Sequence, residues 1–179
     1  VVMSSTAFVF GVIANHLPGL MTANGIALGT AVALASMKGF AQVGGRLWEI
    51  LFASHLSPLT VGRISIGLMP VSFLILMASG ASFTIAVIFI LVLGASNGLI
   101  TIVRGAVPLH LFGTEGYGAI LGLLATPYLI LNAVAPTAYA LIIDTLGHKT
   151  GEWVLIGFSV TAVISMEILS AWYARRAAA

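Results

Sequence analysis

The stretch KGFAQVGGRLWE, residues 38–49, places four polar side chains inside one of the most apolar parts of the chain. These four are Lys38, Gln42, Arg46 and Glu49. At about 100° per residue they lie at about 0°, 40°, 80° and 20° around a helix, and therefore share one face. A single charge at the centre of a bilayer costs at least about 2.5 kcal/mol, so such a column is tolerated only against protein or water. The stretch therefore predicts a membrane helix whose polar face lines a cavity.

The composition of the whole chain agrees with a lipid environment. Of the 179 residues, 60% are hydrophobic and only 7% are charged, whereas about 25% of the residues in an ordinary soluble domain are charged. A water-soluble surface cannot be built from so few charged side chains. We therefore expect an integral membrane protein in contact with lipid.

The apolar residues are grouped into windows long enough to cross a bilayer as helices, which requires about 20 residues each. These windows are residues 1–21, 26–53, 59–79, 82–111, 116–146 and 151–174. The connections between them are too short to hold a soluble domain, and the windows lack the alternation that a membrane β-barrel requires. The sequence thus predicts an all-α integral membrane protein in which residues 1–179 form one bundle of six transmembrane helices.

The basic residues predict the orientation of this bundle. Six crossings place both termini on one side, together with Arg63, Arg175 and Arg176, while Lys149 lies on the other side. Because cytoplasmic loops carry the excess of Lys and Arg, we expect both termini to be cytoplasmic. The chain begins with neither a methionine nor a basic leader, so we expect that residues preceding Val1 have been cut away.

A second polar face lies on the fourth window. Asn97, Thr101, Arg104 and Pro108 span about 60° of a helix, and two further polar residues lie in the first and fifth windows. The candidate cavity-lining residues are therefore Lys38, Gln42, Arg46, Asn97, Thr101, Arg104, Asn15 and Asn132. Glu49 is the candidate for proton coupling, because burial raises the pKa of a carboxyl group and an adjacent arginine opposes that change.

Each of these assignments has a structural alternative. Lys38 can pair with Glu49 simply to hold the bundle together, and Arg46 can act as a clamp at the end of its helix. Arg104 can extend its side chain to the membrane surface. The Asn and Thr side chains are of the kind that form hydrogen bonds between membrane helices. The sequence alone leaves these alternatives open.

Several classes of function lack their motifs. The absence of cysteine and the scattered positions of the four histidines argue against a metal site. No cofactor is expected. No basic run with interleaved aromatic residues indicates nucleic-acid binding. Neither a nucleophile motif nor a nucleotide-binding loop is present, so we expect neither an enzyme nor an ATP-driven pump.

The order of several short motifs resembles the C-terminal half of a major facilitator superfamily transporter. Gly45-Arg46-Leu47 resembles the start of the family's inner gating motif, and Ala53-Ser54-His55 stands where that motif has Ala-Asp-Arg. Ala135-Pro136, followed by Asp144 and Gly147, resembles the end of the family's eleventh helix. The resemblance covers nearly the whole chain. It implies helices 7–12 of a carrier, an N-terminal six-helix half as partner, and the inner membrane of a bacterium as location.

This resemblance favours secondary transport of a small solute by alternating access. The basic residues of the two stripes outnumber the acidic ones, which favours an organic anion as substrate, and Glu49 is the candidate proton-binding group if transport is coupled to protons. One alternative is export of cationic or neutral drugs by the same fold, since ion pairs can consume the positive charges. Another is a stand-alone six-helix scaffold or homodimer that does not transport.

Overall fold

The structure, a computed structural model, describes residues 1–177, with side chains as far as Arg176. Within these residues the chain is helical, with short connections and no strand. The six helices are α1 (Val2–Ala23), α2 (Leu28–Trp48), α3 (Pro58–Met77), α4 (Phe83–Phe112), α5 (Tyr117–Leu146) and α6 (His148–Ala177). After Trp48, α2 continues as a π-helical turn over Glu49–Ala53.

When the π-helical turn is counted with α2, the predicted helix bounds agree with the structure to within three residues. Five of the six helices are also long and apolar enough to cross a membrane, namely α1, α3, α4, α5 and α6. The prediction of six such helices needs correction, because α2 is not among the five. Lys38 and Arg46, with four glycines and several other small residues, make α2 less apolar than its neighbours.

Local sequence explains several helix ends. The Ser57 hydroxyl accepts a hydrogen bond from the backbone N–H of Thr60 at 3.2 Å, and Pro58 occupies the first turn, so α3 begins with a standard N-terminal cap. Gly113 and Gly147 have φ angles of 75° and 85°, which end α4 and α5 in conformations that favour glycine. These ends allow long helices to reverse direction within very short connections.

The helices form a bundle in which α1 and α4 each pack against several neighbours. α4 packs against α2 and α3, α1 packs against α5 and α6, and α3 packs against α6. We call the end that holds the α1–α2, α3–α4 and α5–α6 connections the far end. The backbone N–H of Ala81 donates to the carbonyl oxygen of Asn24 at 3.2 Å there, which joins the first two of these connections. The opposite end, which holds residue 1 and residue 176, is the terminal end.

Glycines bring two pairs of helices into backbone contact. A Cβ atom at Gly11 of α1 would lie 2.6 Å from the carbonyl oxygen of Asn132 on α5. A Cβ atom at Gly98 of α4 would overlap the carbonyl oxygen of Gln42 on α2. Small residues at such positions let membrane helices approach closely and gain van der Waals contact. Both pairs therefore depend on the absence of a side chain at one position.

Replacing either glycine by alanine should destabilise the bundle. We expect Gly11→Ala and Gly98→Ala each to cost about 1–3 kcal/mol, because the helices must move apart to admit the methyl group. Unfolding of the purified protein in detergent measures this loss. Gly67→Ala in α3 is the matched control, since no heavy atom lies within 4 Å of the Cβ position. Equal stability of all three variants would contradict the packing described above.

Candidate functional site

The two polar stripes lie on neighbouring helices and overlap in depth. The Cβ position of Gly94 lies 2.9 Å from the Lys38 carbonyl oxygen, and Gly98 lies against Gln42. Both pairs have the same offset along the chain, so α2 and α4 run parallel. One turn further along, Gly45 lies against the backbone of Ala95, so Arg46 lies beside a part of α4 that precedes Arg104. The lysine and glutamine of α2 thus lie beside the middle of α4, and the two arginines lie nearer the terminal end.

The α2 stripe runs along the edge of the contact with α4. Ala41 and Gly45 are buried in that contact, while Lys38 and Gln42 are only partly exposed and Arg46 is exposed. Seen along the helix axis, the direction of Arg46 differs from that of Gly45 by about 100°, whereas the direction of Lys38 differs from it by only about 20°. The stripe therefore begins at the buried seam and turns outward toward the terminal end.

Most of the candidate Asn and Thr side chains bind backbone carbonyl groups. Asn132 donates its Nδ2 to the Ala7 carbonyl oxygen at 3.1 Å, which joins α5 to α1. Thr101 donates to Gly98 at 2.6 Å, and Asn15 donates to Gly11 at 3.3 Å, both within their own helices. Asn132 therefore forms the interhelical hydrogen bond that was the structural alternative for this residue. The side chains of Gln42 and Asn97 make no hydrogen bond within the described residues.

The charged residues of the stripes are not paired with one another. Among residues 1–176 the one ion pair joins the Arg63 Nε to the Glu167 Oε1 at 2.7 Å, and both side chains are about half exposed. Lys38 and Glu49 thus form no ion pair. Glu49 is partly exposed and lies in the π-helical turn after the stripe. The ion pair between Arg63 and Glu167, which joins α3 to α6, was not predicted from the sequence.

Arg104 faces a different space from Lys38 and Arg46. It is the only charged side chain that lines an apolar cavity of about 560 Å³ at the terminal end, between α1, α3, α4, α5 and α6. Its guanidinium group lies over the Tyr128 ring of α5, 4.3 Å from the ring centroid. The hydroxyl of Tyr117 donates to the Gly105 carbonyl oxygen at 3.0 Å, which is a second link from α5 to α4. Lys38 and Arg46 do not line this cavity, so it does not bring the three cations together.

A buried acidic residue was missed by the sequence analysis. Glu152 is 4% exposed and lies near the start of α6, which begins three residues earlier than predicted. Its surroundings include Asn24 and Tyr139 from other parts of the chain. The segment DTLGHKTGE has the composition of a connection, so no local pattern indicates a buried carboxyl group.

Comparison with known proteins adds no assignment: no protein-family model, no curated protein and no solved structure matches this chain.

Cysteine labelling can test whether the α2 stripe is in contact with water. We expect Lys38→Cys and Gln42→Cys to react with a water-soluble thiol reagent, because a hydrated face supports the thiolate. Phe40 is 80% exposed and is therefore more accessible than Lys38 or Gln42. If position 40 faces lipid, Phe40→Cys should nevertheless react slowly. The described chain has no cysteine to interfere. Faster labelling at position 40 than at position 38 would mean that the stripe is dry.

Proposed function

We propose that this chain is one six-helix half of a secondary transporter with the major facilitator architecture, and that it carries a small organic anion by alternating access. In this proposal α2 crosses the membrane in addition to the other five helices. The N-terminal half of the carrier covers the polar stripes, and both termini are cytoplasmic. The observation that carries the proposal is the pair of polar stripes that overlap in depth on the parallel helices α2 and α4. Polar residues at membrane depth are costly, and they mark substrate or ion pathways when they face a cavity.

The packing supports an internal repeat of three helices. If α1, α2 and α3 are matched with α4, α5 and α6 in that order, the contact of α4 with α2 corresponds to the contact of α1 with α5. The contacts of α4 with α3 and of α1 with α6 exchange in the same way. In both parallel pairs, a glycine of the central helix lies against the backbone of a residue with a polar side chain, Gln42 in one and Asn132 in the other. Inverted repeats of three helices within each half are a feature of this transporter architecture.

The balance of charge supports an anionic substrate. Lys38 and Arg46 have no acidic partner within the described residues, whereas Arg63 is neutralised by Glu167. Two unpaired cations on one face form a site for a carboxylate or another anion, which then supplies the missing negative charge. Export of a cation by the same face would require additional acidic residues from the partner half.

The exposed aromatic residues of α6 support the proposed position in the membrane. Trp153 and Trp172 lie near opposite ends of the helix and are 58% and 46% exposed. Tryptophan is enriched at both membrane surfaces. Arg176 lies over the ring of Trp172 with its guanidinium carbon 4.2 Å from the centroid, as expected at a membrane surface with excess basic residues.

Transport by the reconstituted full-length protein tests the assignment. We expect uptake of at least one anion from a panel of mono- and dicarboxylates, and we expect Lys38→Ala to lower its apparent affinity about 10- to 100-fold, as for loss of one charge-assisted hydrogen bond. Arg63→Gln is the matched control, because it removes a cation that is already paired. Unchanged anion uptake by the folded Lys38→Ala variant would contradict the anion site, and uptake restricted to cations would favour drug export.

A further inference from the structure

The far end of the bundle holds a buried carboxyl group that belongs to neither polar stripe. Glu152 accepts a hydrogen bond on Oε1 from the Nδ2 of Asn24, in the turn between α1 and α2. It is 4% exposed and takes part in no ion pair within the described residues. An ionised carboxylate removed from water requires a cation or several hydrogen bonds, and this one has a single amide donor. The geometry therefore suits a carboxyl group that carries a proton.

Tyr139 of α5 lies close to Glu152, and this group of buried polar residues is called the pocket below. It is 1% exposed, and its hydroxyl has no hydrogen-bond partner within the described residues. The hydroxyl lies directly against Gly151, where a Cβ atom would come within 2.8 Å of it. The ring of His16 lies 5.2 Å from the Tyr139 ring, and its Nε2 lies 3.1 Å from the Pro136 carbonyl oxygen. An unpaired hydroxyl beside a buried acid is a polar site without its full set of partners.

The pocket joins the parts of the chain that meet at the far end. Glu152 holds α6 to the α1–α2 turn through the side chain of Asn24, and the carbonyl oxygen of Asn24 binds Ala81 of the α3–α4 turn. α5 reaches the same place through Tyr139. A change in the charge of this carboxyl group therefore acts on the contacts of α1, α5 and α6 together.

We propose that Glu152 is the proton-binding residue of this protein, and that the bound proton keeps the far end of the bundle closed. When the O–H bond of the carboxyl group breaks, the proton leaves to water and a carboxylate remains. That carboxylate requires hydration, so water enters between α1, α5 and α6 and their contacts loosen. Because α1 packs against α2, which carries Lys38, this movement reaches the helix of the proposed anion site. The coupling role rests on the proposed function, whereas proton binding does not.

The titratable groups around Glu152 are few. Tyr139 approaches from α5, with the His16 ring of α1 beside the tyrosine, and His148 and Lys149 lie within one turn on α6 itself. Residues 78–82, which form the α3–α4 turn, include no titratable side chain. Both His148 and Lys149 are exposed, so they favour the carboxylate from the aqueous side once it forms. Release of the proton toward the far end is thereby assisted, without a permanent ion pair.

Glu152 suits proton coupling better than Glu49. A coupling site must be closed to bulk water in at least one state, since otherwise its proton exchanges freely on both sides of the cycle. Glu49 is only partly buried, and the residues after it, Ile50 and Leu51, are 60% and 68% exposed. Glu152 is enclosed by three helices and a turn.

Infrared difference spectroscopy of the full-length protein without substrate tests proton binding directly. A pH titration of the wild type should show a protonated carboxyl band from a buried site, and Glu152→Gln should lose that one band. Glutamine keeps the shape of the neutral acid, so the variant should fold. Glu167→Gln is the matched control, because that glutamate is exposed and paired with Arg63, and it should retain the band. Persistence of the band in Glu152→Gln would overturn the proposal.

A second variant keeps the test decisive if Glu152→Gln does not fold. Asn24→Ala removes the amide donor and should shift the midpoint of the titration by about one pH unit, since one hydrogen bond is worth about 1 kcal/mol. An unchanged midpoint would overturn the site, as would a transition that follows sodium concentration instead of pH. In reconstituted vesicles, proton-driven uptake that is unaffected in Glu152→Gln would overturn the coupling role. Loss of anion uptake in Lys38→Ala reports on the proposed function alone, so the two failures are distinguishable.

Discussion

Close contact between helix backbones is the constraint on which the rest of this structure depends. In lipid there is no hydrophobic driving force between helices, so association relies on van der Waals packing and hydrogen bonds. Gly94 and Gly98 give α4 this contact with α2, and Gly11 gives it to α1 with α5. The same contact sets the register of α2 on α4 and thereby makes the two polar stripes overlap in depth. Helix packing and the arrangement of the polar residues therefore have a common origin.

The exposure of the helices follows from this arrangement. α2 and α5 each have one principal parallel partner, and most of their remaining surface is open: Phe40 is 80% exposed and Leu123 is 77% exposed. If the bundle consists of two three-helix repeats, α2 and α5 occupy equivalent places in them. Lipid can cover the apolar part of such a surface, but it cannot solvate Lys38 or Arg46. A companion bundle or water must therefore meet the polar edge of α2, and this requirement is the physical content of the proposed carrier.

The sequence predicts the helices well because hydropathy and helix period are local properties. The stripe of α2 follows directly from the spacing of its four polar residues, and so does that of α4. Three features depend on contacts distant in sequence, and local pattern carries no signal for them. The overlap of the stripes in depth requires the α2–α4 register, and Arg63 pairs with Glu167 across 104 residues. The burial of Glu152 depends on Asn24, 128 residues away, while its own segment has the composition of a connection.

The distribution of charge separates two kinds of polar residue in this bundle. Arg63 and Glu167 satisfy each other on the side of α3 and α6, where they hold two helices together and leave no net charge. Lys38 and Arg46 on the edge of α2 have no such partner, and neither does the buried carboxyl group at the far end. A membrane protein that only needed to hold its helices together would gain from pairing or removing these groups, because each one costs free energy in lipid. Their presence at two separate places, one open along a helix edge and one enclosed, is the charge distribution on which the proposed anion site and the proposed proton site rest.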